Sequence, residues 1–146
     1  YDRKRTKEIL MTHYLEEEYM NSLHEAAQKY SDEILPSMIR PEAFEKLEWH
    51  KKEGHQCFLV TASLSIWTAP IAQKLGLELI ATLPDIVEGK FTGRIHGPNN
   101  YGPEKVNRIQ KALQDKVPKT TYAYGDSRGD REMLAWADHA FYRKFH

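Results

Sequence analysis

Thr121-Tyr122-Ala123-Tyr124-Gly125-Asp126-Ser127-Arg128-Gly129-Asp130 reads as a short buried strand that opens, after a glycine, onto two carboxylates four residues apart. Asp126 and Asp130 form a candidate metal pair. Upstream, Phe58-Leu59-Val60 is a second apolar strand core. It delivers Thr61-Ala62-Ser63 at its carboxyl end, where parallel α/β sheets place their ligands. Between the two strands, Gly102-Pro103-Glu104-Lys105 sets a lysine at a helix start. A hydroxyl, a lysine and paired aspartates at such positions point to phosphate chemistry assisted by a divalent cation. A phosphomonoester dianion must be neutralised before a carboxylate can attack it, which takes a hard cation on oxygen ligands and at least one fixed positive charge.

Each residue also admits a plainer reading. Gly125-Asp126-Ser127 could be a turn in which Asp126 or Ser127 caps the next helix. Lys105 could be a solvated helix lysine, and Thr61 and Ser63 could be helix caps. His50 and His55, five apart around a helix end, have poor metal spacing and read as structural. Trp49, Trp67 and Trp136 read as core or packing residues. Cys57 is the sole cysteine, which excludes an internal disulfide, and it reads as a small buried hydrophobe.

The 146 residues, 40% of them hydrophobic, bound the chain to one core of single-domain size. Lys plus Arg equals Asp plus Glu at 21 each. No global field therefore attracts nucleic acid or an anionic membrane, and no nucleic-acid partner is expected. Neither a signal peptide nor an apolar run long enough to span a bilayer occurs, so the expected location of this portion is the cytoplasm.

Periodicity predicts helix in two pieces from residue 3 to about 35, with Ile9, Leu10, Tyr14 and Leu15 and then Leu23, Ala26, Ala27 and Tyr30 at helical spacing. Pro36 interrupts it. Pro41 to Gly54 is a further helix, Cys57 to Thr61 a strand, and Ser63 to Leu75 a helix whose Pro70 must lie in its first turn or bend it. Leu79-Ile80-Ala81 is a strand, and Ile86 to Ile95 a hairpin with Glu88-Gly89 at its tip. Pro103 to Leu113 is helix, Thr121 to Tyr124 strand, Asp130 to Ala137 helix and Ala140-Phe141 a last strand. The rhythm is that of an α/β fold.

These residues and their order resemble the haloacid-dehalogenase superfamily, in particular its phosphoserine-phosphatase-like subgroup with a small helical cap. The strand ending in Thr61, Lys105 at a helix start, and Gly125-Asp126 to Asp130 match that family's second, third and fourth motifs. Trp49 to His55, Thr92-Gly93-Arg94 and Gly97 to Gly102 also look like that subgroup, so the resemblance covers residues 36 to 146. It implies a Rossmann-like core with a parallel sheet over 36–146, the remainder of a helical cap over 1–35, and a β-hairpin.

The resemblance further implies a Mg²⁺-dependent phosphatase acting through an aspartyl-phosphate on a small phosphorylated metabolite or a lipid phosphate. Asp126 would ligate Mg²⁺, and Asp130 would ligate it or hold a metal-bound water. Lys105 would pair with the phosphoryl oxygens. Thr61 Oγ, with the N–H groups of Ala62 and Ser63 at the opening of the next helix, would bind phosphate. Asn100 and Arg128, with Asn99, Tyr101 and Arg94, would border the cleft. The family's first motif, Asp-x-Asp-x-Thr, is not found, and no Asp-x-Asp occurs in the 146 residues. The expectation is that the nucleophile's strand lies further towards the amino terminus and that this chain alone does not turn over. That missing segment, apolar in similar chains, leaves membrane association open. Two alternatives stand beside a phosphatase: a non-catalytic phosphate-binding module and a phosphotransferase. Oligomeric state is not legible.

Overall fold

The computed structural model describes residues 3–15 and 19–146, with only the backbone at 13 and 14, so the expected apolar role of Tyr14 lies outside the described side chains. Two helices occupy the first stretch, α1 (Arg3–Leu15) and α2 (Met20–Glu33), followed by the single turn α3 (Leu35–Met38). Pro36 sits in the first turn of α3, where its missing N–H costs nothing. Pro41 opens α4 (Pro41–Lys52) in the same way.

The α/β alternation then begins. Strand β1 (Phe58–Leu64) leads into α5 (Ser65–Leu75) and β2 (Glu78–Val87), which lies parallel to β1 with Leu59 opposite Leu79. β3 (Lys90–His96) returns antiparallel through a two-residue turn at Glu88-Gly89, both with positive φ, as the hairpin pattern predicts. After α6 (Pro103–Ala112), β4 (Tyr122–Gly125), α7 (Arg131–Trp136) and β5 (His139–Tyr142) follow, with β4 and β5 parallel.

Two expectations need correction. First, β1 runs on to Leu64, so α5 starts at Ser65 rather than Ser63, and Pro70 lies inside the helix. Second, the parallel strands do not form one sheet. They divide into β1-β2-β3 and β4-β5. No strand among the described residues joins the facing edges of β1 and β4; at the β1 edge Val60 O accepts from Lys105 Nζ and Ala62 O from Lys7 Nζ.

Two apolar clusters hold the layers. Leu23, Leu64, Ile66, Phe91 and Ile95 join α2, α5 and the hairpin, with Met11 and Leu15 of α1 packed on them. Ile80, Ile109, Ala123 and Met133 join β2, α6, β4 and α7, so the helices bridge the two sheets. α1 approaches β3 through Gly93. A Cβ there would lie 2.5 Å from the Thr12 Cα, and φ is +78°. Only glycine satisfies both conditions.

α4 docks on β4 through His50, which is 8% exposed. Its Nε2 pairs with the Tyr124 hydroxyl and its Nδ1 with His55 Nδ1, both at 2.8 Å. Burial, then the nearby charges of His55 and Lys46, hold the His50 pKa below the ordinary 6.5. No helix among the described residues is long and apolar enough to cross a membrane.

Two outcomes follow. Gly93→Ala should cost about 1–3 kcal/mol by overpacking at Thr12, read as a lower urea midpoint; an unchanged midpoint would mean that α1 does not rest on β3. Acidification from neutrality through the histidine range should also lower stability. The unfolded chain takes up a proton near pH 6.5 that folded His50 declines until a lower pH, so its contribution is full above the unfolded value and lost as pH falls. His50→Gln should flatten that slope in denaturation curves collected across pH.

Candidate active site

The carboxyl ends of β1 and β4 face a cavity of about 900 Å³. The turn after β4 is built around Asp130. Its Oδ2 accepts from the Asp126 N–H at 3.2 Å, the Ser127 N–H at 3.0 Å and Ser127 Oγ at 2.9 Å. This fold-back requires the glycine that precedes it, because a Cβ on Gly125 would lie 2.6 Å from the Asp130 Cβ. The other oxygen, Oδ1, accepts from Lys105 Nζ at 2.5 Å.

Lys105 projects from the first turn of α6 and is 5% exposed, while Asp130 is 6% exposed. Lys105 Nζ also donates to Val60 O at 3.3 Å, tying α6 to the edge of β1. Burial pushes the Asp130 carboxyl upward. The hydrogen bonds and charge of Lys105 and the donors of Ser127 outweigh it and hold the group below the ordinary range.

Of the residues expected from sequence, Thr61, Ala62, Ser63, Lys105, Asp126, Arg128 and Asp130 all line the cavity. Asp126 and Arg128 are exposed there. Three expectations change in detail. Asp130 has both oxygens engaged by protein donors, so its geometry is that of a counter-ion to Lys105 and an anchor of the turn rather than of a direct metal ligand. Ser63 N–H donates to Thr61 Oγ1 at 3.1 Å and lies in the strand, so it is not the free N–H of a helix start. Asn100 does not reach the cavity. It is fully buried and donates to Thr61 O at 3.0 Å and Ile80 O at 2.9 Å, a strut between β1 and β2 beneath Thr61. Its neighbours Asn99 and Tyr101 do line the cavity, and Arg94 does not.

Lys7, from α1, was not anticipated. Its Nζ donates to Ala62 O at 2.6 Å and to Asn99 Oδ1 at 2.8 Å, placing a second ammonium beside the Thr61–Ser63 segment. Burial lowers its pKa. The signal available in sequence was the spacing of Arg3, Thr6, Lys7 and Leu10, one helix face, all four of which line the cavity.

The donor set bears on a cation. Among the described residues no group of three or more His, Cys, Asp or Glu could hold a metal ion. Asp126 contributes one exposed carboxylate, an oxygen donor of the kind Mg²⁺ takes, usually from one or two carboxylates with water completing the shell.

A model of the haloacid dehalogenase-like hydrolase family matches residues 1–135. Protein CicA of Caulobacter vibrioides is 32% identical over 99% of this chain, which spans 67% of that protein. Phosphoserine phosphatase SerB1 of Mycobacterium tuberculosis is 34% identical over 71% of this chain and 35% of its own length. A solved structure of a protein of unknown function from Bordetella pertussis Tohama I superimposes with a TM-score of 0.83 at 27% identity, covering 94% of this chain and 64% of that one.

Removing either side of the buried pair should expose its role. Asp130→Ala leaves the Lys105 ammonium desolvated and should cost about 3–5 kcal/mol, whereas Lys105→Met combined with Asp130→Leu should cost less than the two single changes added together. Additive losses in urea unfolding would argue against a coupled pair. Because the folded Asp130 pKa lies below 3.8, its contribution is full above the unfolded value and is lost as pH falls through the folded one.

Proposed function

The chain belongs to the haloacid dehalogenase-like hydrolase family, and from that premise we propose that it carries most of the active centre of a Mg²⁺-dependent phosphomonoester hydrolase working through an aspartyl-phosphate. The observation that supports this reading best is the convergence of Thr61, Lys105 and Asp126 on one cavity, with Lys105 fixed by Asp130. The nucleophilic aspartate comes, in this reading, from a strand outside these 146 residues. Two features favour a strand there: β1 and β4 each have an edge without a strand partner among the described residues, and both line the cavity.

The roles divide by chemistry. Thr61 Oγ1 accepts the Ser63 N–H, which leaves its own hydrogen to donate to a phosphoryl oxygen. Lys105 keeps its ammonium beside the phosphoryl group, reducing repulsion between that dianion and an attacking carboxylate. Asp130 acts as a positioning residue that holds Lys105 in one geometry. Asp126, together with a ligand from outside this sequence, would hold Mg²⁺, which when bound neutralises phosphoryl charge. Arg128 would meet the leaving group at the cavity rim. The substrate is a small phosphorylated metabolite, as the name of the SerB1 relative suggests, or a lipid phosphate. The phosphate-binding module and the phosphotransferase are the competing outcomes.

The test is p-nitrophenyl phosphate hydrolysis with Mg²⁺ and with EDTA, on this chain, on the longest form of the protein, and on Asp126→Ala in each. Metal-dependent turnover in the long form alone, reduced at least about a hundredfold by Asp126→Ala, is the expected result. Phosphate binding without turnover in every form would leave a binding module instead. Faster product release with added alcohols, with the alcohol phosphorylated, would make it a phosphotransferase.

A further inference from the structure

The Lys105–Asp130 pair ties the start of α6 to the turn after β4 at one point. A single point of attachment leaves a turn free to pivot, so a second contact is required to set the direction in which Asp126 and Arg128 face. Tyr101 and Gly102 supply it. The Gly102 N–H donates to Gly129 O at 3.0 Å, and the half-buried Tyr101 ring lies against Gly129.

The ring is the demanding half of this contact. A Cβ on Gly129 would lie 2.5 Å from Tyr101 Cε2 and 2.6 Å from Cδ2. Gly129 belongs to a single 3-10 turn over Arg128–Asp130, and its φ is not positive. Its backbone would therefore accept alanine, which helical turns favour over glycine; it is the ring that requires glycine here. The ring is itself held. The Arg3 guanidinium lies over it, 4.7 Å from the centroid, and the Tyr101 N–H donates to Asn99 O at 2.8 Å. Tyr101, Gly102 and Gly129 all lie outside the strands, so pairing of a further strand with β1 or β4 does not compete for these contacts.

We propose that Tyr101 is a positioning residue: its ring, set against Gly129, fixes the orientation of the Asp126–Asp130 turn on α6 and so holds the exposed Asp126 carboxylate in the direction from which it ligates the cation. The inference rests on the Mg²⁺-dependent phosphomonoesterase reading and deepens it by naming what aims that carboxylate. A ligand on an exposed turn binds well only when its direction is set beforehand, because freedom lost on binding is subtracted from affinity. The Asp126 and Ser127 N–H groups both donate to Asp130 Oδ2. Their amide exchange therefore reports on the turn whether or not a cation is bound.

The experiment uses the longest form of the protein and four variants: Tyr101→Phe, Tyr101→Ala, Gly129→Ala, and the last two combined. Mg²⁺ affinity is measured by titration calorimetry, exchange of the Asp126 and Ser127 amides by NMR in EDTA, and folding by circular-dichroism melts. Tyr101→Phe should keep the wild-type affinity. Tyr101→Ala, which loosens the turn, and Gly129→Ala, which displaces the ring, should each weaken Mg²⁺ binding by about tenfold or more and speed exchange of both amides. The combined variant should lose less than the product of the two losses, since the added methyl enters space that the ring has left.

Tyr101→Ala that melts lower yet binds Mg²⁺ as tightly as wild type would reduce Tyr101 to packing and overturn the inference, with the phosphatase reading intact. Equal losses from Tyr101→Phe and Tyr101→Ala would assign the effect to the hydroxyl and overturn it as well, as would independent losses in the combined variant. Gly129→Ala carries the same test from the other side of the contact, should Tyr101→Ala not fold. A wild-type long form that binds no Mg²⁺ would remove the metal-dependent reading and this inference with it.

Discussion

The Lys105–Asp130 ion pair is the constraint on which the site depends. It joins α6 to the turn after β4, and through the Val60 carbonyl it reaches the edge of β1. These are the elements that two separate sheets would otherwise leave apart. Burying two opposite charges is favourable only with good geometry and with the remaining lone pairs satisfied. Asp130 meets that condition by accepting from Asp126 and Ser127 backbone N–H groups and from the Ser127 hydroxyl. The same bonds that stabilise the carboxylate shape the loop carrying Asp126, so the pair fixes at once the position of a cation and the position of an exposed carboxylate.

At the edge of β1 the carbonyls of Val60 and Ala62 accept from lysine side chains among the described residues. Exposed strand edges are hazards, and lysine is one of the residues that blunts them. Here both lysines come from other elements, Lys105 from α6 and Lys7 from α1, so blunting the edge also concentrates positive charge at its carboxyl end. Asn100 works from the other side. Its amide nitrogen donates to Thr61 O and Ile80 O, and its backbone N–H is held by Thr82 Oγ1 at 3.0 Å. With Thr61 propped from beneath, the hydroxyl stands where the strand delivers it.

Much of this was legible in sequence because it is local. The apolar runs at Phe58 and Thr121, the prolines at helix starts and the glycine before Asp126 each constrain a few neighbouring residues, and the elements fall where those signals put them. The strand-to-helix boundary after Thr61 was misread because Ser63 is a good cap, whereas in the structure it remains in β1 and its N–H is spent on Thr61. Asn100 was assigned to the cleft as one of a run of polar groups with Asn99 and Tyr101, and nothing in the sequence says which of Asn99 and Asn100 points inward. Lys7 was missed for a different reason. Its partners lie 55 and 92 residues away, and the helix face it shares with Arg3, Thr6 and Leu10 does not say what that face meets.

The two walls of the cavity are held by different forces. The inner wall rests on a buried ion pair and an apolar cluster that includes Ile109, Ala123 and Met133. The outer wall is α1, none of whose described side chains is fully buried. Its attachments are polar and apolar together: Lys4 to Gly97 O, Lys7 to Ala62 O, Glu8 Oε1 accepting from the Ile95 N–H at 3.0 Å, and Met11 and Leu15 packed on the cluster around Phe91. The polar bonds exchange with water at little net cost, since solvent replaces the partner that is lost, so the apolar contacts of Met11 and Leu15 carry the attachment of α1. Separating α6 from β4 would expose apolar surface and, in addition, leave a buried charge without its partner. The buried ion pair is what distinguishes the inner wall from the outer one.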